Sequence, residues 1–294
     1  MTHTPTGTDV DILMVGHVAV DSIVVDGNAE TATGGGVYYG SVALRRLGID
    51  VAVATRLHPD DFPLLEELRS EGVRVYATPS KATSGIENIY SSENMERRTC
   101  HPLAFAGAFR PEDVPDLAAR VTMVTPLIAG EVDLALLRSL SERSPVALDV
   151  QGFVRVREGD SLVFRPWPEM AQGLARITYL KVDLAEAEHL TGLTDPAKAA
   201  ARLAAYGPHE VVVTRSEGVL VWADGQIHRA PFTPRSLVGR TGRGDTCFST
   251  YVGWRLDHPV REATRLAAAV TSLKQEKAGP WRGSLAEALA LAAS

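Results

Sequence analysis

"GRTGRGDTCFSTY", residues Gly239–Tyr251, sets glycines at 239, 242 and 244 and an aspartate at 245 just before a run that can be helical. Gly242 and Gly244 let the backbone turn sharply and leave their N–H groups uncovered by side chains. A helix beginning near Asp245 adds unpaired amides and the positive end of its dipole, so the stretch can form an anion site. Asp245 then has two readings. It is an N-cap, a role aspartate fills well, or it is a base beside a phosphate site, ready to take a proton from an attacking hydroxyl.

The surrounding chain decides what fold could carry such a turn. "VDILMVG" and "VAVAT" are short apolar runs, as strands buried on both faces would be. "GGGVYYGSVALRRLG" has apolar residues at helical spacing and a glycine stop. "PDDFPLLEELRSEG" is expected to be a helix with its acids early. From Phe109 onward strands and helices alternate: "VTMVTPLIAG", "VALDVQG", "ITYLKV", "HEVVVT" and "GVLVWADG" between helical stretches, with three helices closing the chain. That rhythm argues for an α/β fold, a mainly parallel central sheet covered on both faces, with ligands at the carboxyl ends of its strands. Strand-rich material near 17–33 and 83–105 lacks helices and is expected to form a small β-sheet lid over that edge.

Bulk properties bound the partners. The chain has 294 residues, 45% of them hydrophobic, a length that suits one large domain. A net charge of −6 without long basic runs makes nucleic acid and anionic membranes poor partners. Apolar stretches fall short of the roughly 20 residues of a membrane span, and the polar start "MTHTPTGTDV" is not a signal peptide. The two cysteines, Cys100 and Cys247, stand far apart, which fits a reducing cytoplasm rather than a disulfide framework.

Several chemistries are excluded by missing motifs. G-x-x-x-x-G-K-[ST], the protein-kinase set, H-E-x-x-H and G-x-S-x-G do not occur, and no G-x-G-x-x-G follows the first strand. What is present resembles the PfkB (ribokinase-like) carbohydrate kinase family over almost the whole chain. "GRTGRGDT" is similar to the family's D-T-x-G-A-G-D signature, keeping Thr241, Gly242, Gly244 and Asp245 and departing at Gly239 and Arg243. "VGHVAVD" matches its strand-G-x-x-x-x-D, and "GGGVYYGSVALRRLG" its glycine pair and helix. "YLKVDLAEAEHLTG" resembles the N-x-x-E region, with Asp183 where asparagine is common and Glu186 retained; "VVVTRSEGVLVW" resembles the nucleotide edge, with Ser216 in place of a glycine.

The resemblance implies a single domain over residues 1–294, a ribokinase-like three-layer sandwich with a lid, using ATP and Mg²⁺. Asp245 would be the base, the amides of Gly242, Arg243 and Gly244 the anion hole, and the Arg243 guanidinium a phosphate contact or a solvated side chain. Asp21 and the backbone of Gly34, Gly35 and Gly36 would meet the acceptor. Lys181, Asp183, Thr214, Ser216 and Gly218 would border the nucleotide phosphates, and Glu186 would help hold hydrated magnesium or else lie on a solvated helix face. The helix around Ala269–Gly279 would form part of an adenine pocket.

"VALDVQGFVRVREGD", with "AGEVD" upstream, is similar to the family's inositol kinase branch. Glu131, Gln151 and Arg155 would suit a polyol or sugar, myo-inositol first, each polar group binding one or two hydroxyls; Glu131 and Gln151 could instead tie loops together. Open alternatives are a nucleoside or other sugar kinase and a non-catalytic small-molecule-binding protein on the same fold. An exposed lid sheet leaves room for a homodimer through it.

Overall fold

The computed structural model describes residues 8–91 and 94–293. The polar stretch 1–7 and residues 92–93 of the expected lid lie outside the described residues. In chain order the elements are β1 (Val10–Val15), β2 (Ala19–Val25), β3 (Asn28–Gly34), α1 (Gly36–Arg46), β4 (Val51–Leu57), α2 (Leu65–Ser70) and β5 (Arg74–Pro79). β6 (Gly85–Ser91), β7 (Asn94–Ala104), β8 (Ala119–Val124), α3 (Leu134–Ser141), β9 (Val146–Asp149) and the one-turn α4 (Gln151–Val154) follow. Then come β10 (Arg155–Glu158), β11 (Ser161–Phe164), α5 (Met170–Leu174), β12 (Tyr179–Asp183), α6 (Leu184–Thr191) and α7 (Pro196–Ala204). β13 (Glu210–Thr214), β14 (Gly218–Ala223), β15 (Gln226–Pro231), α8 (Arg243–Arg255), α9 (Val260–Gln275) and α10 (Leu285–Ala293) complete the chain.

The main sheet has nine strands in the order β15-β14-β13-β12-β9-β8-β1-β4-β5. It is parallel from β13 to β5, while β14 and β15 add an antiparallel edge. Its apolar runs are explained by burial on both faces. Side chains alternate across the sheet, so Ile12 and Met14 join one core while Leu13 and Val15 join the other. The first core packs under α1, α2, α8, α9 and α10, the second under α3, α5, α6 and α7. This is the ribokinase-like three-layer arrangement.

A second sheet has the order β3-β2-β6-β7. β2 and β3 meet through Asp26 and Gly27, both at positive φ (49° and 84°), the geometry of a tight hairpin turn. One expected element differs. The stretch from Pro59 is not a single α-helix but a 3₁₀ segment, Pro59–Leu64, that passes into α2. Pro63 lacks the N–H that a continuous helix needs there.

The chain passes between the two sheets at residues 16–18, 34–36, 83–85 and 104–106, and these crossings converge on His17 and Ser84. His17 Nδ1 lies 2.8 Å from Ser84 Oγ, which also accepts from the Ala106 amide at 3.0 Å. Gly35 approaches the His17 carbonyl so closely that an added Cβ would stand 2.2 Å from it. Glu131 accepts from the His17 amide at 3.0 Å and the Leu127 amide at 2.7 Å.

Candidate active site

α8 begins two residues earlier than the sequence reading placed it. Its N-cap is Gly242, at φ 80°, and Asp245 lies in the first turn with the amides of Arg243 and Gly244 ahead of it. The capping role is thus taken by a glycine with no side-chain bond, and the Asp245 carboxylate lines a cavity instead. Gly242 is required twice over. Its φ lies in the left-handed region, and an added Cβ would stand 2.3 Å from the Tyr39 ring.

The cavity, about 350 Å³, opens at the carboxyl ends of the parallel strands, between the main sheet and the small one. Two helix N-termini converge on it. α1 starts at Gly36, whose added Cβ would stand 3.1 Å from Asp245 Oδ1, and α8 carries Asp245 itself. Both bring positive dipole ends to one place, and at α8 the Arg243 amide is already engaged, donating to the Arg240 carbonyl at 3.2 Å.

On the small-sheet side the lining includes Asp21, Gly35, Tyr39, Asn88, Gln151 and Arg155. Asp21 is 8% exposed and accepts from the Ile86 amide at 2.9 Å, so β2 and β6 share it. Gly34 leaves the room this carboxylate occupies, since an added Cβ would stand 2.2 Å from Asp21 Oδ2. Gln151 Nε2 donates to the Leu127 carbonyl at 3.2 Å, which turns its amide toward the loop after β8.

On the opposite side stand Lys181, Asp183, Thr214, Arg215, Ser216, Arg240 and Arg243. Sheet register assembles them: Lys181 pairs with Asp149 across β12 and β9, and Asp183 with Thr214 across β12 and β13. Lys181 Nζ bonds Asp149 at 3.1 Å and lies 3.5 Å from Glu186 Oε2. Burial works against its charge, but the carboxylates of Asp149, Glu186, Asp183 and Asp245 together hold its pKa above the ordinary lysine value. Gly244 lies over it: an added Cβ would stand 3.7 Å from Nζ. The Arg215 Nε is buried without a hydrogen-bond partner among the described residues.

Gly34, Gly36, Glu131, Glu186 and Gly218 fall outside the lining. Glu131 is fully buried, pushed up to about 7 by desolvation against the opposing pull of amides that include those of Leu127 and His17. Glu186 is likewise fully buried, not on a solvated face. It forms a reciprocal capping box with Asp183, and burial raises its pKa despite Lys181. Gly218 pairs with Pro231 in the antiparallel edge.

The loop between β15 and α8 packs on part of the region Ala269–Gly279 and leaves Lys277 and Ala278 exposed. Thr233 donates its amide to Ser272 Oγ at 2.9 Å, Arg235 grips Glu276 through two nitrogens at 2.7–3.1 Å, and Gly239 donates to the Gln275 carbonyl at 2.7 Å. Asn88, Arg215 and Arg240 line the cavity and Lys274 lies outside the lining; the sequence reading singled out none of the four. The arginines sit next to recognised motifs, whereas Asn88 and Lys274 gave no local signal.

An acid at a helix mouth, backbone amides beside it and a cluster of cations opposite is a phosphoryl-transfer arrangement. The model of the pfkB family carbohydrate kinases matches residues 10–285. The chain belongs to the PfkB family. It is a phosphotransferase with a hydroxyl acceptor. A curated relative, the cytidine kinase of Thermococcus kodakarensis, is 27% identical over 290 residues, covering 92% of this chain and 98% of that one. Among solved structures, a pyrophosphate-dependent kinase of the ribokinase family in a sulfate complex is 35% identical with a TM-score of 0.89, covering 95% of this chain and 99% of that one. A pyrophosphate-dependent kinase of that family with a pyrophosphate analogue and myo-inositol is 35% identical with a TM-score of 0.87, covering 92% and 97%. Arabidopsis thaliana ribokinase with ribose and ATP shares 19% identity at a TM-score of 0.76, covering 96% and 98%, a likeness of fold. Among the described residues no helix is long and apolar enough to cross a membrane.

Proposed function

We propose that this kinase transfers a phosphoryl group from inorganic pyrophosphate to a hydroxyl of myo-inositol. One observation carries the donor. Arg215, Arg240 and Arg243 join Lys181 on the donor side, while the region that the resemblance assigned to adenine contributes nothing to the cavity lining and has the protein's own loop packed on its Ser272, Gln275 and Glu276. A compact, highly charged donor suits cations that can each grip phosphate oxygens; a nucleoside would need the covered surface. The 35% identical pyrophosphate-dependent kinases support the same reading.

In this reading Asp245 takes the proton from the acceptor hydroxyl as its oxygen attacks phosphorus. The new O–P bond forms while the bridging O–P bond of pyrophosphate breaks, and inorganic phosphate leaves. The amides of Gly242 and Gly244 receive the charge that develops on the moving group, the Arg243 amide being held by the Arg240 carbonyl. Asp21, Gln151 and Arg155 hold the polyol, with Asn88 beside them, and the small sheet acts as a lid that excludes water. A hydrated Mg²⁺ fits beside Asp183, which reaches the cavity, and Glu186, whose buried Oε1 has no hydrogen-bond partner among the described residues. When bound, that ion would offset donor charge.

The test is a ³¹P NMR assay of purified protein with myo-inositol, ribose, fructose 6-phosphate or cytidine, each with pyrophosphate or ATP. Inositol phosphate formed with pyrophosphate, and at least about a hundredfold more slowly with ATP, is expected. Turnover with ATP alone overturns the donor. Cytidine outpacing inositol overturns the acceptor in favour of the nucleoside kinase likeness. Ligand-induced melting shifts without any turnover would mark a binding protein.

A further inference from the structure

Lys274, on α9, has no part in the chemistry above, yet it is 2% exposed and among the largest fully buried side chains. A buried ammonium is costly unless its surroundings compensate it. Two groups do so here. Nζ donates to the Gly239 carbonyl, and it stands 5.1 Å from the centroid of the Tyr39 ring, within cation–π range. Desolvation still lowers its pKa to about 8, against the pull of the Asp245 charge.

Both compensating groups belong to the anion-binding loop or touch it. Gly239 opens the loop, and its backbone lies so tightly on α9 that an added Cβ would stand 1.6 Å from the Lys277 carbonyl oxygen. This explains the glycine where the family signature has aspartate: no side chain fits. At the loop's other end, Tyr39 packs against Gly242, the left-handed residue from which α8 starts. Lys274 thus holds Gly239 directly and Gly242 through the Tyr39 ring.

We propose that Lys274 is a positioning residue for phosphoryl transfer: its ammonium clamps the Gly239 carbonyl and the Tyr39 ring and so fixes the loop whose amides receive the moving phosphoryl group. This rests on the kinase reading of the loop but not on the identity of donor or acceptor. The cation reaches the Gly239 carbonyl and the Tyr39 ring rather than Asp21, Gln151 or Arg155, the polar groups assigned to the acceptor. Its loss should therefore appear in turnover rather than in acceptor binding, because a small displacement of preorganised donors is felt most in the transition state.

The experiment compares wild type with Lys274→Met, similar in reach but uncharged. Expected are a kcat lower by about tenfold or more, an acceptor KM within about twofold, and a smaller melting shift on adding inorganic pyrophosphate or sulfate. A kcat equal to wild type, or one reduced only in proportion to the unfolded fraction, overturns the proposal. Should the variant not fold, ¹³Cε-lysine NMR of the wild type decides. The Lys274 signal, faced by Asp245 from α8 and Tyr39 from α1, should titrate below ordinary lysines and move to higher pKa with pyrophosphate; indifference to the anion overturns the assignment. A wild type inactive with every donor sinks the kinase reading instead, and the anion-induced melting shift then decides the clamp alone.

Discussion

Asp245 Oδ1 lies against the first residue of α1, so close that a methyl group placed on Gly36 would stand 3.1 Å from it. The same methyl would meet Thr125 Cβ at 2.7 Å, so it cannot retreat to the other side. Gly36→Ala must therefore displace the carboxylate, Thr125 or both. Misplacement by about 1 Å can cost on the order of a hundredfold in rate. Gly36→Ala should lower kcat by that order while circular dichroism shows the fold retained; an unchanged kcat would mean that the carboxylate position is not critical.

Asp245→Asn keeps the shape and removes the base. Turnover should fall by about 10²–10⁴, while pyrophosphate still raises the melting temperature. If this variant turns over like the parent, another group takes the proton.

Lys181 neutralises two buried carboxylates, Asp149 and Glu186. Lys181→Met leaves both without their cation and should destabilise the protein by about 3–5 kcal/mol, read from urea unfolding. Adding Asp149→Asn should restore part of that loss. If the double variant is no more stable than the single one, the cost comes from lost packing and not from stranded charge.

His17 and Glu131 act on stability with opposite signs. Glu131 is pushed from 4.5 up to about 7 by burial, so the folded state binds more protons than the unfolded state in that window, and its contribution is lost as pH rises through 7. His17 is lowered from 6.5 to about 3, burial first and Arg56 second, so its effect runs the other way and stability rises with pH between those values. Each shift corresponds to a few kcal/mol, about 1.4 per unit. Unfolding free energies between pH 4.5 and 6.5 should therefore climb more steeply with pH in Glu131→Gln than in wild type, and less steeply in His17→Gln. Parallel curves would show that folding shifts the titration of neither group.

The periodicity of the chain carried the fold because burial on both faces leaves an unmistakable pattern in β1, β4 and β13. The turn at Asp26 and Gly27 follows the same logic, since its backbone angles favour those residue types. The glycines around Asp245 pointed to an anion-binding turn, and only the start of α8 was misplaced, because Gly242 took the cap. Less could be read where one residue type serves two purposes. Asp183 and Glu186 have the spacing of a metal motif and of a capping box, and the structure shows the reciprocal cap. Glu131 read as a hydroxyl ligand or as a tie between loops, and its oxygens, which receive backbone amides, follow the second reading. Lys274 was silent because its partners are a main-chain carbonyl and a ring more than two hundred residues away in sequence, neither of which leaves a local pattern.

The meeting of all the inter-sheet crossings at His17 and Ser84 has a mechanical consequence. Strands joined to a body by separate flexible straps could peel away one at a time; here a single buried pin fastens every strap. Displacing the strands that enter at His17, Ser84 or Ala106 would disturb the hydroxyl, the imidazole and the carboxylate that they share, which favours opening as one plate. In the proposed reading, with the small sheet as a lid over the acceptor, access to the cavity would then be all-or-none, and Asp21, carried on that plate, would arrive and depart in the same stroke.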